Sequence, residues 1–125
     1  MPIIRSRRGY AADRRGRSAE AAAGLALERD GWIILARRLR TPAGEIDMVV
    51  EKDGLLAIVE VKARPTLLDA AVSLSPRQQA RLIAATDIVM ATHPHWGTQG
   101  VRFDLLLVDA AGLVRRITDA FRGNG

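Results

Sequence analysis

Asp47, Glu60 and Lys62 are the residues whose types and spacing could do chemistry. They lie in "GEIDMVVEKDGLLAIVEVKAR", residues 44–64, where two apolar runs meet at Asp53-Gly54. Asp-Gly is favoured in a two-residue type I′ turn, in which both central residues take positive φ. With that turn, Lys52 faces Leu55, Asp47 stands opposite Glu60, and Glu45 stands opposite Lys62. Side chains alternate between the faces of a strand. Glu45, Asp47, Glu60 and Lys62 are therefore expected on one face, with Ile46, Met48, Val59 and Val61 on the other. Two carboxylates directly opposite destabilise a sheet, and burying them unpaired is costly. Either Lys62 makes an ion pair within a polar face, or the carboxylates hold a divalent cation. Oxygen ligands alone suit Mg²⁺ or Mn²⁺. Two metal-binding carboxylates beside an ammonium group fit metal-assisted phosphodiester hydrolysis. The metal would polarise the phosphate and acidify a water, while Lys62 orients that water or offsets developing charge. Glu45, at the edge of the face, is expected to bridge to Lys62 or Arg64.

The elements that must position these groups follow from periodicity and end signals. A helix is expected over about residues 18–30, closed by Gly31, with Glu20, Ala23, Gly24 and Leu27 on one face. "WIILARRLR" predicts a strand over about 33–39, ending in Arg37, Arg38 and Arg40, and "TPAG" a turn. After the hairpin, "PTLLDAAVSL" predicts a loop or short helix. Ser75, Pro76 and Gln78 form a capping-box start. The helix they open is expected to reach Thr92 and to bury Leu82, Ile83, Thr86, Val89 and Met90. "VRFDLLLVD" and "LVRRITDAF" predict a final hairpin. The order α-β-β-β-α-β-β is an α/β fold with a mixed central β-sheet flanked by helices.

At 125 residues the chain is long enough for one core, and 48% hydrophobic with 26% charged residues is a globular mix. Residues 1–17 hold six arginines against Asp13, a charge of +5, and the remaining thirteen basic and thirteen acidic residues cancel. That predicts a flexible basic arm over 1–17 ahead of a domain over 18–122. Such an arm favours phosphate-backbone contact through counterion release. The seventeen Arg against two Lys would equally follow from a GC-rich genome. Without cysteine, thiolate metal sites and disulfides are excluded, and a cytoplasmic home fits. No apolar run is long enough to span a bilayer, and Glu20 interrupts the only run resembling a targeting peptide.

His93 and His95 flank Pro94 without a cysteine or carboxylate nearby, and read as loop histidines rather than zinc ligands. Asp104, among apolar neighbours, is expected either to pair with Arg102 in the core or to be a more distant member of the acidic site. Trp32 and Trp96 read as packing residues, with base stacking the alternative.

Taken together and in order, "AEAAAGLALERDGWIILARRLR", "GEIDMVV", "VEVKAR" and "RFDLLLV" resemble the YraN-like family of small bacterial proteins. That family is placed in the restriction-endonuclease-like superfamily, with its PD-(D/E)XK motif. The resemblance implies a sheet flanked by helices similar to that of archaeal Holliday-junction resolvases. It makes Asp47 the motif aspartate, Glu60 the second acid, Lys62 the lysine, and Glu20 a helix-borne glutamate that helps hold metal or water. The chain departs from the family in having Arg38 where Asn is usual and Gln78 near a usual Lys, so Gln78 or Gln79 would stand beside the scissile phosphate. The resulting expectation is a Mg²⁺- or Mn²⁺-dependent endonuclease acting on DNA, branched or junction DNA included. Glu20, Asp47, Glu60, Lys62 and Gln78 would be catalytic, with Asp47, Glu60 and Glu20 on the metal. Arg14, Arg15, Arg17, Arg37, Arg38, Arg40 and Arg64 would hold the backbone. Junction cutting would require a homodimer, and no membrane partner is expected. The alternatives are a non-catalytic nucleic-acid-binding protein that retains the fold, and a protein-interaction domain whose hairpin charges form only a structural network.

Overall fold

The computed structural model describes residues 17–66 and 74–122. The expected arm as far as residue 16, with Arg14 and Arg15, lies outside the described residues. So does most of the expected loop or short helix before Ser75.

Helix α1 covers 17–29 and ends at Gly31, whose φ of 89° suits a residue without a Cβ. Strands β1 (Ile33–Thr41), β2 (Gly44–Lys52) and β3 (Leu55–Ala63) follow, then α2 (Pro76–Thr92), β4 (Gly100–Val108) and β5 (Val114–Phe121). The five strands lie in the order β1-β2-β3-β4-β5. Only the β3–β4 pair is parallel. Helix α2 supplies the crossover that a parallel pair needs. The mixed sheet and the order of elements are those expected from the sequence.

Consecutive residues of β3 and β4 feed two separate cores. Leu56, Ile58, Leu105 and Leu107 pack with Leu82, Ala85 and Val89 of α2. Ala57, Val59, Leu106 and Val108 pack with Ala19, Ala23 and Leu27 of α1. The helices thus cover opposite faces, which is why the central strands read as nearly continuous apolar runs. Of the expected core positions on α2, Leu82, Thr86 and Val89 are buried and Ile83 and Met90 partly so; Ala85 joins them.

The hairpin keeps the predicted register from Lys52↔Leu55 to Met48↔Val59. Asp53 and Gly54 turn with φ of 52° and 82°. Beyond Met48 the expected alternation fails: Met48 enters the α1-side core, but Ile46 enters the α2-side core. Two local features cause the change. Asp47 Oδ2 accepts the Val61 N–H at 2.8 Å, substituting a side chain for ladder pairing. Arg38, between the partners of Met48 and Ile46 on β1, has φ of 48°. The β2–β3 ladder therefore opens at the end of the sheet where α2 begins.

Candidate active site

Glu60 sits in that opening, with only 6% of its surface exposed although it is ionisable. Burial pushes its carboxyl up to about 8, and a hydrogen bond to Asp47 and the charge of Asp47 push it the same way; Lys62 and Arg81 pull it down. The structure thus brings Asp47, Glu60 and Lys62 together, although the ladder that would have paired Asp47 with Glu60 ends at Met48↔Val59. A carboxyl raised that far favours the protonated form of Glu60 at neutral pH.

The sequence reading missed Arg81. Its Nη2 donates to Glu60 Oε2 at 3.0 Å, and 41% of its side chain is exposed against 7% for Glu60. Arg81 follows Gln78 by three residues, so the two share a helix side. Gly44 gives Arg81 its path: a Cβ there would lie 2.8 Å from Arg81 Cγ and Cδ, and Gly44 has φ of 140°. The helical stripe and the glycine of "GEID" were the available signals, but they lie in segments 37 residues apart in number.

Gln78, expected beside the phosphate, closes the capping box. Its Oε1 accepts the Ser75 N–H at 3.0 Å, and its own N–H donates to Ser75 Oγ at 3.1 Å. Gln79 Nε2 donates to the Leu74 carbonyl at 2.8 Å. Both amides are thus engaged at the helix start, and the α2 side chain on the carboxylates is Arg81.

Glu20 accepts from Arg38 Nε at 2.8 Å. Asn, usual in the resembled family at Arg38, tolerates the left-handed backbone there better than Arg does. Arg37 faces the α1 side, 4.0 Å from Glu28 and against Gly24. Arg40 lies 3.6 Å from Glu45 and is largely exposed. Glu45 therefore bridges to β1 rather than to Lys62 or Arg64, because β2 has already left β3 at that level. Arg64 Nη1 donates to the neighbouring Ala63 carbonyl. Arg17, assigned from sequence to the arm, is already helical.

The donor set can be tested against a divalent ion. Two carboxyl groups within hydrogen-bond reach give the oxygens that Mg²⁺ takes before completing its shell with water and phosphate oxygens. In that respect the residues fit. Among the described residues, however, no three His, Cys, Asp or Glu side chains gather as a metal-ligating group. The expected third acid, Glu20, is held by Arg38.

The other charged centres are structural. Asp104 is fully buried, takes both Nε and Nη2 of Arg102 at 2.8 and 2.7 Å, and accepts the Asp119 N–H at 3.0 Å. Trp32 is buried with the guanidinium carbons of Arg102 and Arg116 at 5.5 and 5.7 Å from its ring centre. His93 stacks on Trp96 with ring centres 3.8 Å apart. A cavity of about 450 Å³ opens at the opposite end of β3, beside Leu55, Phe103 and Phe121. Its charged lining residues Arg102, Asp119 and Arg122 are already paired, and neither Asp47 nor Glu60 lines it. No described helix is long and apolar enough to cross a membrane.

The profile of Uncharacterised protein family UPF0102 matches residues 19–108. A UPF0102 protein of Granulibacter bethesdensis is 66% identical over 92% of this chain and 73% of its own length. One from Rhodopseudomonas palustris is 47% identical over 89% of this chain and 85% of its own. One from Acidiphilium cryptum is 46% identical over 90% and 88%. The chain belongs to the UPF0102 family.

Proposed function

We propose that this UPF0102 chain is a divalent-metal-dependent endonuclease of the restriction-endonuclease-like type, acting on DNA, branched or junction DNA included. The observation that carries the reading is buried Glu60 beside half-buried Asp47 at the open end of the sheet, flanked by Lys62 and Arg81. Asp47 and Glu60 would hold Mg²⁺ or Mn²⁺, displacing the proton that burial favours on Glu60. Such an ion would polarise the phosphate and lower the pKa of a water beside it. Lys62, two residues beyond Glu60 on the same strand, orients the attacking water and offsets charge on the phosphorane. Glu20 enters through Arg38, which it holds at the level of Asp47. Arg38, Arg40 and Arg64 stand at the same end of the sheet as Asp47, Glu60 and Lys62. They supply backbone contacts there, with Arg37 on the α1 side.

A panel of labelled linear, nicked, flap and four-way DNA with Mg²⁺ or Mn²⁺ tests the reading. Cleavage is expected in the wild type and absent in Asp47→Asn and Lys62→Ala. A second reading, a nucleic-acid-binding protein without hydrolysis, is favoured by the ion pair that Arg81 already makes with Glu60. Salt-sensitive binding without cleavage, unaltered by Asp47→Asn, would select it.

A further inference from the structure

Arg81 joins a buried carboxylate to solvent, and its geometry does not match a purely structural counter-ion. The contact to Glu60 runs through Nη2 alone, at 3.0 Å. A guanidinium that serves only to neutralise a carboxylate commonly does so with two parallel hydrogen bonds, as Arg102 does with Asp104 here. Arg81 instead keeps 41% of its side chain exposed while its partner is 7% exposed. It stands in the second turn of α2, whose N-terminus begins at Pro76 at the open end of the sheet. Its aliphatic stem lies over Gly44, where any larger residue would meet Cγ and Cδ at 2.8 Å.

We infer that Arg81 is a movable cation. It hydrogen-bonds Glu60 in the free protein and exchanges that carboxyl group for a phosphate oxygen of bound nucleic acid, along the path Gly44 leaves open. The inference rests on the nuclease reading above and assigns that site the group that contacts the phosphate. When a divalent ion takes Glu60, its proton is released to solvent, the guanidinium loses its hydrogen-bond partner and a phosphate oxygen supplies another. Arginine suits this role because its fork carries five donors and stays charged at any working pH. Gly44 is thereby a positioning residue, acting only through the Arg81 side chain.

The experiment compares wild type, Arg81→Ala, Arg81→Gln, Arg81→Lys and Gly44→Ala. DNA affinity is measured by fluorescence anisotropy across a salt series in calcium, with metal affinity by calorimetry and cleavage in magnesium. Loss of one phosphate contact lowers the slope of log affinity against log salt by about 0.9. Arg81→Ala and Arg81→Gln are expected to show that loss with metal affinity undiminished, and with cleavage falling more than tenfold. Arg81→Lys is expected to keep the slope. Gly44→Ala is expected to shift it as Arg81→Ala does. Arg81→Gln keeps a hydrogen-bond donor for Glu60, so it separates lost charge from lost packing. Unchanged slope and DNA affinity in both neutral variants, with only melting temperature or metal affinity altered, would overturn the inference while leaving the nuclease reading intact. A changed slope with no cleavage even in wild type would sustain phosphate contact by Arg81 and remove hydrolysis. No nucleic-acid affinity in wild type at low salt would remove both.

Discussion

Asp47 Oδ2 accepts the backbone N–H of Val61 at 2.8 Å, at the point where the β2–β3 ladder has ended at Met48↔Val59. One carboxylate therefore does two things. It completes the hydrogen bonding of β3 and presses on Glu60.

These roles separate by substitution. Asp47→Asn keeps an acceptor for Val61 and should unfold within about 1 kcal/mol of wild type. Asp47→Ala leaves that N–H without its partner and should lose about 1 to 3 kcal/mol. Urea denaturation measures both. Equal stability for the Ala variant would show that the Asp47–Val61 bond contributes nothing to the strand.

Glu60 gives stability a pH dependence of definite sign. Its folded carboxyl is raised from 4.5 to about 8, first by burial and then by Asp47. Between those values the folded state binds more protons than the unfolded chain, so this contribution is full below about 4.5 and is lost as pH rises through about 8. Melting temperatures of wild type and Glu60→Gln, recorded from pH 4 to pH 9 (about the span of these two values), should diverge across that window. The variant should lack the decline. Parallel curves would mean that Glu60 titrates as an ordinary surface acid.

Asp104 is the control for a buried acid outside the site. It is fully buried with two hydrogen bonds from Arg102. Removing one member of such a pair costs about 3 to 5 kcal/mol. Asp104→Ala should therefore be strongly destabilised, whereas Asp104→Asn, which keeps an acceptor for Asp119 N–H, should bind metal as the wild type does. Loss of metal affinity in a folded Asp104→Asn would extend the site across β4.

Much of the arrangement was legible in the residues themselves. Asp53-Gly54 fixes its turn by the φ values it tolerates, and the turn fixes the register as far as Met48↔Val59, one pair short of Asp47 and Glu60. Ser75 and Gln78 fix the start of α2 by their reciprocal hydrogen bonds. Ile46 was misplaced because alternation presumes a continuous ladder, which Asp47 interrupts with its own side chain. Arg81 was hidden for a different reason. Among seventeen arginines, type alone does not single it out, and its contact with Glu60 exists only once α2 has packed over β2 and β3. Gln78 was drawn toward the phosphate by family resemblance, although the capping box already committed its side chain.

Glu20 offers a separate test, since its carboxylate is held by Arg38 at 2.8 Å with both side chains partly exposed. A pair of that exposure contributes up to about 1 kcal/mol. Glu20→Gln should lose no more than that in chemical denaturation, and should bind Mn²⁺ within about twofold of wild type, a change below 0.5 kcal/mol. A tenfold loss of metal affinity would make Glu20 a direct ligand that leaves Arg38 when the ion arrives.

The most direct measurement is a calorimetric titration of Mg²⁺ and Mn²⁺ into wild type and Asp47→Asn, with and without four-way DNA, paired with cleavage of that DNA by the same samples. The account predicts saturable binding and magnesium-dependent cleavage by the wild type, and neither by Asp47→Asn. Failure of both ions to bind the wild type in the presence of DNA would contradict it, as would cleavage that survives in Asp47→Asn.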